Sequence, residues 1–368
     1  MGLLRLILAL SVVAGHTQST IFGFNGIGAT YAVQVFFVIS GFYMAMILNE
    51  KYKSLPAHKF YISRALRIYP VYFIGLALSM FAQHEQILAT FNSLSTWSKL
   101  YMFFSNIFIF GRDLVNQFCW QTSMGSCEAP MNLAINPPGW SLAPELMFYL
   151  AAPFVVRSVR RVIMLFCIGC LYFYIVNNLH YPINWIGVYT ERSVTFVYTF
   201  FPASIFFFLT GVIGYHFINK REPVNYFASL MLIFTLSFTE STIPSWVILL
   251  LGFATPTLFS ITKDFKYDRM IGELSYPVYI IHFPIYIIVK NINKNSLLST
   301  GTIVTLVTLA LSLLVYFFVD RKIELIRHSK NLIDNSSPSG QRSNMGNVYV
   351  ISYAMMPVIW VTYLVWLQ

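Results

Sequence analysis

Three side chains in this sequence can take up or give a proton within otherwise apolar runs: His16, Glu145 and His282. Three more can hold an anion at the edge of such runs: Arg5, Arg64 and Arg67. Histidines and a carboxylate at membrane depth suit general acid–base work, because ionisable groups there are costly and tend to face a protein interior or a water cavity. Guanidinium forks suit phosphate oxygens. Arg5 and His16 lie eleven positions apart in LLRLILALSVVAGHTQST. That is close to three helical turns, so they share one face, about 16 Å apart along the axis. Arg64 and Arg67, in FYISRALRIYP, share a face at i and i+3.

Each residue also has a plainer reading. Arg5 can snorkel to headgroups, and Arg64 and Arg67 can be ordinary positive-inside anchors. Glu145 can be a helix-start carboxylate, and either histidine can be a hydrogen-bonded packing residue. The set carries more than its members. In PPGWSLAPELMFYLAAPF, the loop turns at Pro137-Pro138-Gly139, and Ser141 is the expected N-cap. Ser141, Glu145 and Tyr149 then align at i, i+4 and i+8. In IGELSYPVYIIHFPIYI, Ser275, Tyr279 and His282 share a face. The histidines have no H-x-x-x-H or similar spacing, so no metal is expected.

The elements that position these residues are membrane spans. The chain is 57% hydrophobic and only 10% charged, which excludes a soluble domain. Its net charge of +10 would suggest nucleic acid in a soluble protein. Here the basic residues lie between apolar runs, where they set topology and meet anionic lipid, and no nucleic-acid partner is expected. Apolar stretches predict spans at 3–21, 30–49, 66–83, 142–157, 161–177, 194–218, 225–239, 244–261, 275–291, 301–320 and 347–367. The piece 100–110 is too short to cross and is expected at the interface or as a re-entrant segment. The first run is read as a retained span and not a cleaved signal, since no small-x-small site follows and His16 interrupts the exit.

With the N-terminus inside, 19 Lys and Arg residues fall on inner segments and 5 on outer ones, which favours that orientation. The long outer loop 84–141 then places Cys119 and Cys127 in an oxidising compartment, where a disulfide is expected. Cys167 and Cys170 form a C-x-x-C inside an apolar run and are read as packing residues. Asn335-Ser336-Ser337 fits a glycosylation acceptor but falls on the inner side. The expected division is a ten-helix core over 1–330, a flexible polar linker over 331–346 and an appended helix over 347–368, in an all-α polytopic bundle.

In this order the motifs resemble the acyltransferase-3 family of integral membrane acyltransferases, which acylate sugars of bacterial surface glycans. The resemblance is carried by Arg5-(ten residues)-His16, VFFVISGFYM with Phe36, Phe37, Ser40 and Gly41, and FYISRALRIYP with Arg64, Arg67 and Pro70. It continues in GWSLAPELMFYL with Trp140, Ser141, Leu142, Glu145 and Tyr149, and in GELSYPVYIIH with Gly272, Ser275, Tyr276 and His282. It implies that His16 is the catalytic histidine and that Arg64 and Arg67 help to hold a cytoplasmic acyl-CoA. Departures are Tyr43 where leucine is frequent, Glu324-Leu325 where Glu-Pro is frequent, and the tail 331–368, which lies outside the pattern. No appended esterase-like domain is present, so transfer is expected to be completed by the membrane core or a partner.

The expected reaction moves an acyl group, acetyl by preference, from acyl-CoA as a donor substrate to a hydroxyl of a surface glycan or its lipid-linked precursor. No permanently bound cofactor is expected. His16 acts as general base or carries the acyl group. Arg5 joins the phosphate contacts. Glu145 orients His16 or holds the acceptor, and His282 donates to the carbonyl or positions the donor. Ser40, Trp140, Ser141, Tyr149, Ser275 and Tyr276 support them. The expected location is a bacterial inner membrane with a cytoplasmic N-terminus. The rival from another class is a proton-coupled exporter of a glycan or organic anion, which the midplane ionisable groups favour and the lack of internal repeats disfavours. The sequence leaves the sugar, the acyl chain and the oligomeric state open.

Overall fold

The apolar runs fold as helices packed into an all-α bundle, and the computed structural model describes residues 1–115, 118–178, 200–220, 255, 258, 259, 261–292 and 298–328. In chain order the helices are α1 (Gly2–Thr17), α2 (Ala29–Asn49), α3 (Ala57–Ala82), α4 (His84–Ser93), α5 (Thr96–Phe108), α6 (Leu142–Val155), α7 (Val159–Asn178) and α8 (Phe201–Lys220). They continue with α9 (Asp268–Ile292), α10 (Thr300–Val315) and α11 (Arg321–His328), the last two joined without a break by a π-helical turn, Tyr316–Asp320. Among the described residues four stretches are long and apolar enough to cross a membrane: α2, α3, α9 and the continuous 300–327. The expected spans 225–239 and 347–367, most of 244–261, and the linker 331–346 lie outside the described residues.

Several boundaries differ from the hydropathy reading, and two have a clear local cause. The first helix stops at Thr17 and not at 21, because Gln18 takes a left-handed conformation (φ 48°) and ends the ladder. The third begins at Ala57 and not at 66, since the polar turns before the apolar run, including Arg64, are helical too. Segment 84–141 is more than a loop. It holds α4, α5 and a short hairpin of β1 (Trp120–Gln121) with β2 (Cys127–Glu128), beside which Cys119 and Cys127 form a disulfide. The stretch 100–110 falls largely in α5, whose Trp97, Leu100, Phe104 and Phe108 recur at helical spacing and are exposed. Such a face suits the membrane boundary.

Helices α1 and α9 run side by side in the same sense. Asp268 takes the Met1 ammonium at 2.6 Å at one end, and His16 meets His282 at the other. Helix α3 lies along α9 in the same sense, with Arg67 at Glu273 and Gly75 against Ile280. The bundle therefore has a basic end, where these helices start, and a histidine end. Segment 84–141 follows α3 and lies at the histidine end. Helices α2 and α8 approach through Gly41 and Gly211: a Cβ on either would overlap the carbonyl of Phe208 or of Val38. Small residues at such crossings let helix backbones touch where lipid offers no hydrophobic drive. Phe208 fills the space beside the crossing, with the rings of Phe37 and Phe148 each 4.5 Å away.

Prolines shape α9. Pro284 has no N–H, so the carbonyl of Ile280 has no helical donor. Asn136 takes that place, its Nδ2–H donating to Ile280 O at 3.2 Å. Asn136 is tied in turn to Arg112, a buried arginine that donates to Asn136 O at 3.0 Å and to Tyr72 OH at 3.2 Å. This network pins the turn Pro137–Ser141 against α3 and α9 and sets where α6 begins.

Candidate active site

A cavity of about 490 Å³ opens among α1, α2, α3, α6 and α9. Its basic end is lined by Arg5, Arg64, Arg67, Lys263, Arg269 and Arg327, with Glu145, Asp268, Glu273 and Glu324 as the acids. Phe36, Ser141 and Tyr279 line it toward the histidine end.

Most of these charges already have partners. Arg67 Nη1 donates to Glu273 at 2.6 Å, Arg269 pairs with Glu324, and Asp268 takes the Met1 ammonium. Arg327 Nε donates to Ser63 Oγ at 3.2 Å. Arg5 and Arg64 differ. Among the described residues neither guanidinium makes a hydrogen bond or ion pair; Arg64 Nε is buried with no acceptor, and the group lies over the Phe60 ring at 5.7 Å. A buried cation with unfilled donors is a site for an anion. Just outside the membrane, the Lys51 ammonium is pushed below its usual range, first by burial and then by Arg327, Arg64 and Arg269. The field at this end is therefore positive.

Glu145 belongs to the cavity and not to His16. Its Oε1 accepts from Ser40 Oγ at 3.0 Å and from the Tyr149 hydroxyl, which lies one turn on along α6. No hydrogen bond or ion pair joins it to His16, so the expectation that it orients that residue is corrected. The expected cap is corrected as well. Ser141 stands at the N-cap position of α6, but its hydroxyl makes no capping bond; it bonds Pro138 O at 3.2 Å and Tyr279 OH at 2.8 Å instead. Trp140 sits half-buried in the same turn against the core.

At the histidine end, His16 Nδ1 lies 2.7 Å from His282 Nε2, and His282 Nδ1 lies 2.8 Å from the carbonyl oxygen of Tyr279. His282 is fully buried and His16 is partly open. The Phe283 ring stands edge-on to His16 at 6.0 Å. Tyr279 thus links the two ends, since its ring lines the cavity while its carbonyl touches His282. Ser275 and Tyr276 also line the cavity, with hydroxyls donating to Gly272 O at 2.6 Å and Ile68 O at 2.7 Å.

The sequence motifs therefore divide into two clusters. Arg5, Ser40, Arg64, Arg67, Glu145 and Tyr149 gather at the basic end, and His16 and His282 meet at the other. Sequence reasoning missed Glu273, Asp268, Glu324 and Arg327. Glu273 sits in IGELSY at the start of α9, and a carboxylate at the same depth as Arg67 was the signal available. Among the described residues no group of His, Cys, Asp and Glu has the spacing to hold a metal ion.

A family model described as an acyltransferase domain matches residues 1–317. An uncharacterised protein of Aquifex aeolicus (strain VF5) is 24% identical over 211 residues, which is 52% of this chain and 90% of the relative. Nodulation protein 10 of Rhizobium leguminosarum bv. viciae is 28% identical over 174 residues, 43% of this chain; the match covers 44% of that relative's length. No solved structure matches.

Proposed function

We infer the reaction from the site, for the chain belongs to the acyltransferase-3 family and is a multi-pass membrane acyltransferase. The donor is acyl-CoA, with acetyl as the acyl group, entering from the cytoplasm at the basic end. The acceptor is a hydroxyl of a surface glycan or its lipid-linked precursor, meeting the donor at the histidine end in a bacterial inner membrane. Arg5 and Arg64 hold the phosphates, with Arg67, fixed by Glu273, adding positive field. His16 is the general base on the acceptor hydroxyl, and Ser40, Glu145 and Tyr149 line the path of the pantetheine arm.

The observation that supports this reading is the pair of guanidinium groups, Arg5 and Arg64, without a hydrogen bond or ion pair among the described residues, in the cavity that Tyr279 lines toward the histidines. An acyl-CoA has the matching shape: several phosphates at one end, a thioester at the other, and a flexible arm of about one helix-length between. The rise from Arg5 to His16 is about 16 Å along the axis.

The test is transfer from labelled acetyl-CoA by purified protein in vesicles carrying the native acceptor. Acceptor-dependent thioester cleavage that disappears in His16→Ala supports the reading. Movement of acceptor or anion across the vesicle with the thioester intact would replace it with transport.

A further inference from the structure

Three groups stand in a row at the histidine end, the Tyr279 carbonyl and the rings of His282 and His16, and their chemistry is directional. The Tyr279 carbonyl can only accept, so the hydrogen in its 2.8 Å bond to His282 is on Nδ1 of that ring. A neutral imidazole carries a single N–H, so Nε2 of His282 offers a lone pair. The hydrogen in its 2.7 Å bond to His16 must then sit on Nδ1 of His16. The ring centroids are 5.0 Å apart and the planes are within 20°. With the bonded nitrogens at 2.7 Å, that is two rings meeting edge to edge near one plane, the orientation that points an N–H at a lone pair.

We propose that His282 is a positioning residue that fixes the tautomer of His16, making Nε2 of His16 the basic atom of the acyl transfer. The proposal rests on the role given to His16 above. Nε2 of His16 bonds to no described residue, and His16 is partly open while His282 is 0% exposed. Water therefore does not compete for the inner bond, and of the two rings His16 is the accessible one. The row is also anchored from behind. The Tyr279 hydroxyl is held by Ser141 at 2.8 Å and donates to Pro138 O at 3.2 Å, and Asn136 grips the next carbonyl, that of Ile280. A second histidine here does what a carboxylate or carbonyl partner does for other histidines, orienting the ring and choosing its proton.

The step balances without a further reagent. As the acceptor oxygen attacks the thioester carbonyl carbon, its proton passes to Nε2 of His16. On collapse the carbon–sulfur bond breaks, the sulfur leaves with the electron pair, and the proton on Nε2 passes to it. Throughout, the Nδ1–H of His16 stays bonded to His282, which shares the transient positive charge. Nδ1 of His16 is occupied, so it is not the atom that carries an acyl group.

The test compares His282→Leu and His282→Gln with wild type in acetyl transfer and by ¹⁵N spectroscopy of histidine-labelled protein. The His16 signals are assigned by their loss in His16→Gln. Wild type should show His16 protonated at Nδ1 and bare at Nε2. His282→Leu should lose about 10- to 100-fold in kcat with an unchanged KM for acetyl-CoA, and its His16 should shift toward the Nε2–H form. His282→Gln, whose amide oxygen can accept from Nδ1–H, should recover most of the loss. A wild-type His16 protonated at Nε2, or a His282→Leu enzyme with wild-type kcat, would overturn the proposal while leaving His16 as the base. An active His16→Gln enzyme would instead remove the underlying role of His16.

Discussion

Arg67 and Glu273, on α3 and α9, pair at 2.6 Å in the wall of the cavity, while Arg64, one turn earlier on α3, has no carboxylate partner among the described residues. Two arginines that look equivalent in the sequence therefore have different surroundings. Arg64→Lys keeps the charge and loses the fork, so acyl-CoA should bind about 10- to 100-fold more weakly in a protein that melts normally. Glu273→Gln leaves Arg67 unpaired in a largely enclosed place and should lower stability by about 3 kcal/mol or less. Calorimetric or fluorescence binding of acetyl-CoA, run beside thermal melts, separates the two. Equal loss of affinity in both variants with unchanged melting would contradict this division.

Glu145 and His16 should differ in kinetics. His16→Ala should lose the roughly 10²–10⁴-fold that a general base supplies and still bind acetyl-CoA, because the proposed phosphate contacts lie at the other end. Glu145→Gln, with its oxygen still able to accept from Ser40 and Tyr149, should keep kcat within about tenfold. A Glu145→Gln enzyme as dead as His16→Ala would move the proton transfer to Glu145.

The hairpin at the histidine end gives a chemical readout. In denatured, unreduced protein, Cys167 and Cys170 should react with a thiol reagent, and Cys119 and Cys127 should not. Four reactive thiols would remove the bridge. Replacing both bridged residues with alanine should cost about 2–3 kcal/mol, the loop-closure entropy of so short a ring.

Orientation is tested by labelling. With Cys167 and Cys170 replaced, single cysteines in 51–56 and in 94–99 should differ toward an impermeant reagent, and only the second should react in intact cells. Both segments lie outside the long apolar helices, at opposite ends of the bundle. Equal labelling would undo the donor-inside, acceptor-outside scheme.

How far the sequence reaches can be seen residue by residue. His16 and His282 stand out because each interrupts an apolar run, where a titratable group needs a reason. Arg5 stands out for the same cause, and Arg64 through its i, i+3 pairing with Arg67 at the edge of one. Glu273 does not, because hydropathy counts it as flanking chain; only the placement of α3 beside α9 makes it the partner of Arg67. Ser141 reads as a cap from its neighbours, yet Tyr279, far along the chain, offers its hydroxyl a better partner. The start of α3 is missed because its first turns are polar, and a hydropathy window registers lipid and not helix. The family resemblance supplied the kinship of the motifs, and the packing of α1 on α9 supplied the distances.

The π-helical turn at Tyr316–Asp320 acts as a gear in the chain. A π turn holds about one residue more than an α turn, and each residue of an α-helix advances the ring of side chains by about 100°. Everything beyond it is thus rotated by roughly that angle from the face an unbroken helix would present. Glu324 and Arg327 follow the turn, and both line the cavity. Deleting one residue between 316 and 320 would leave length and hydropathy almost unchanged while swinging those two side chains off the cavity wall. In this helix, residue count sets the azimuth of charge.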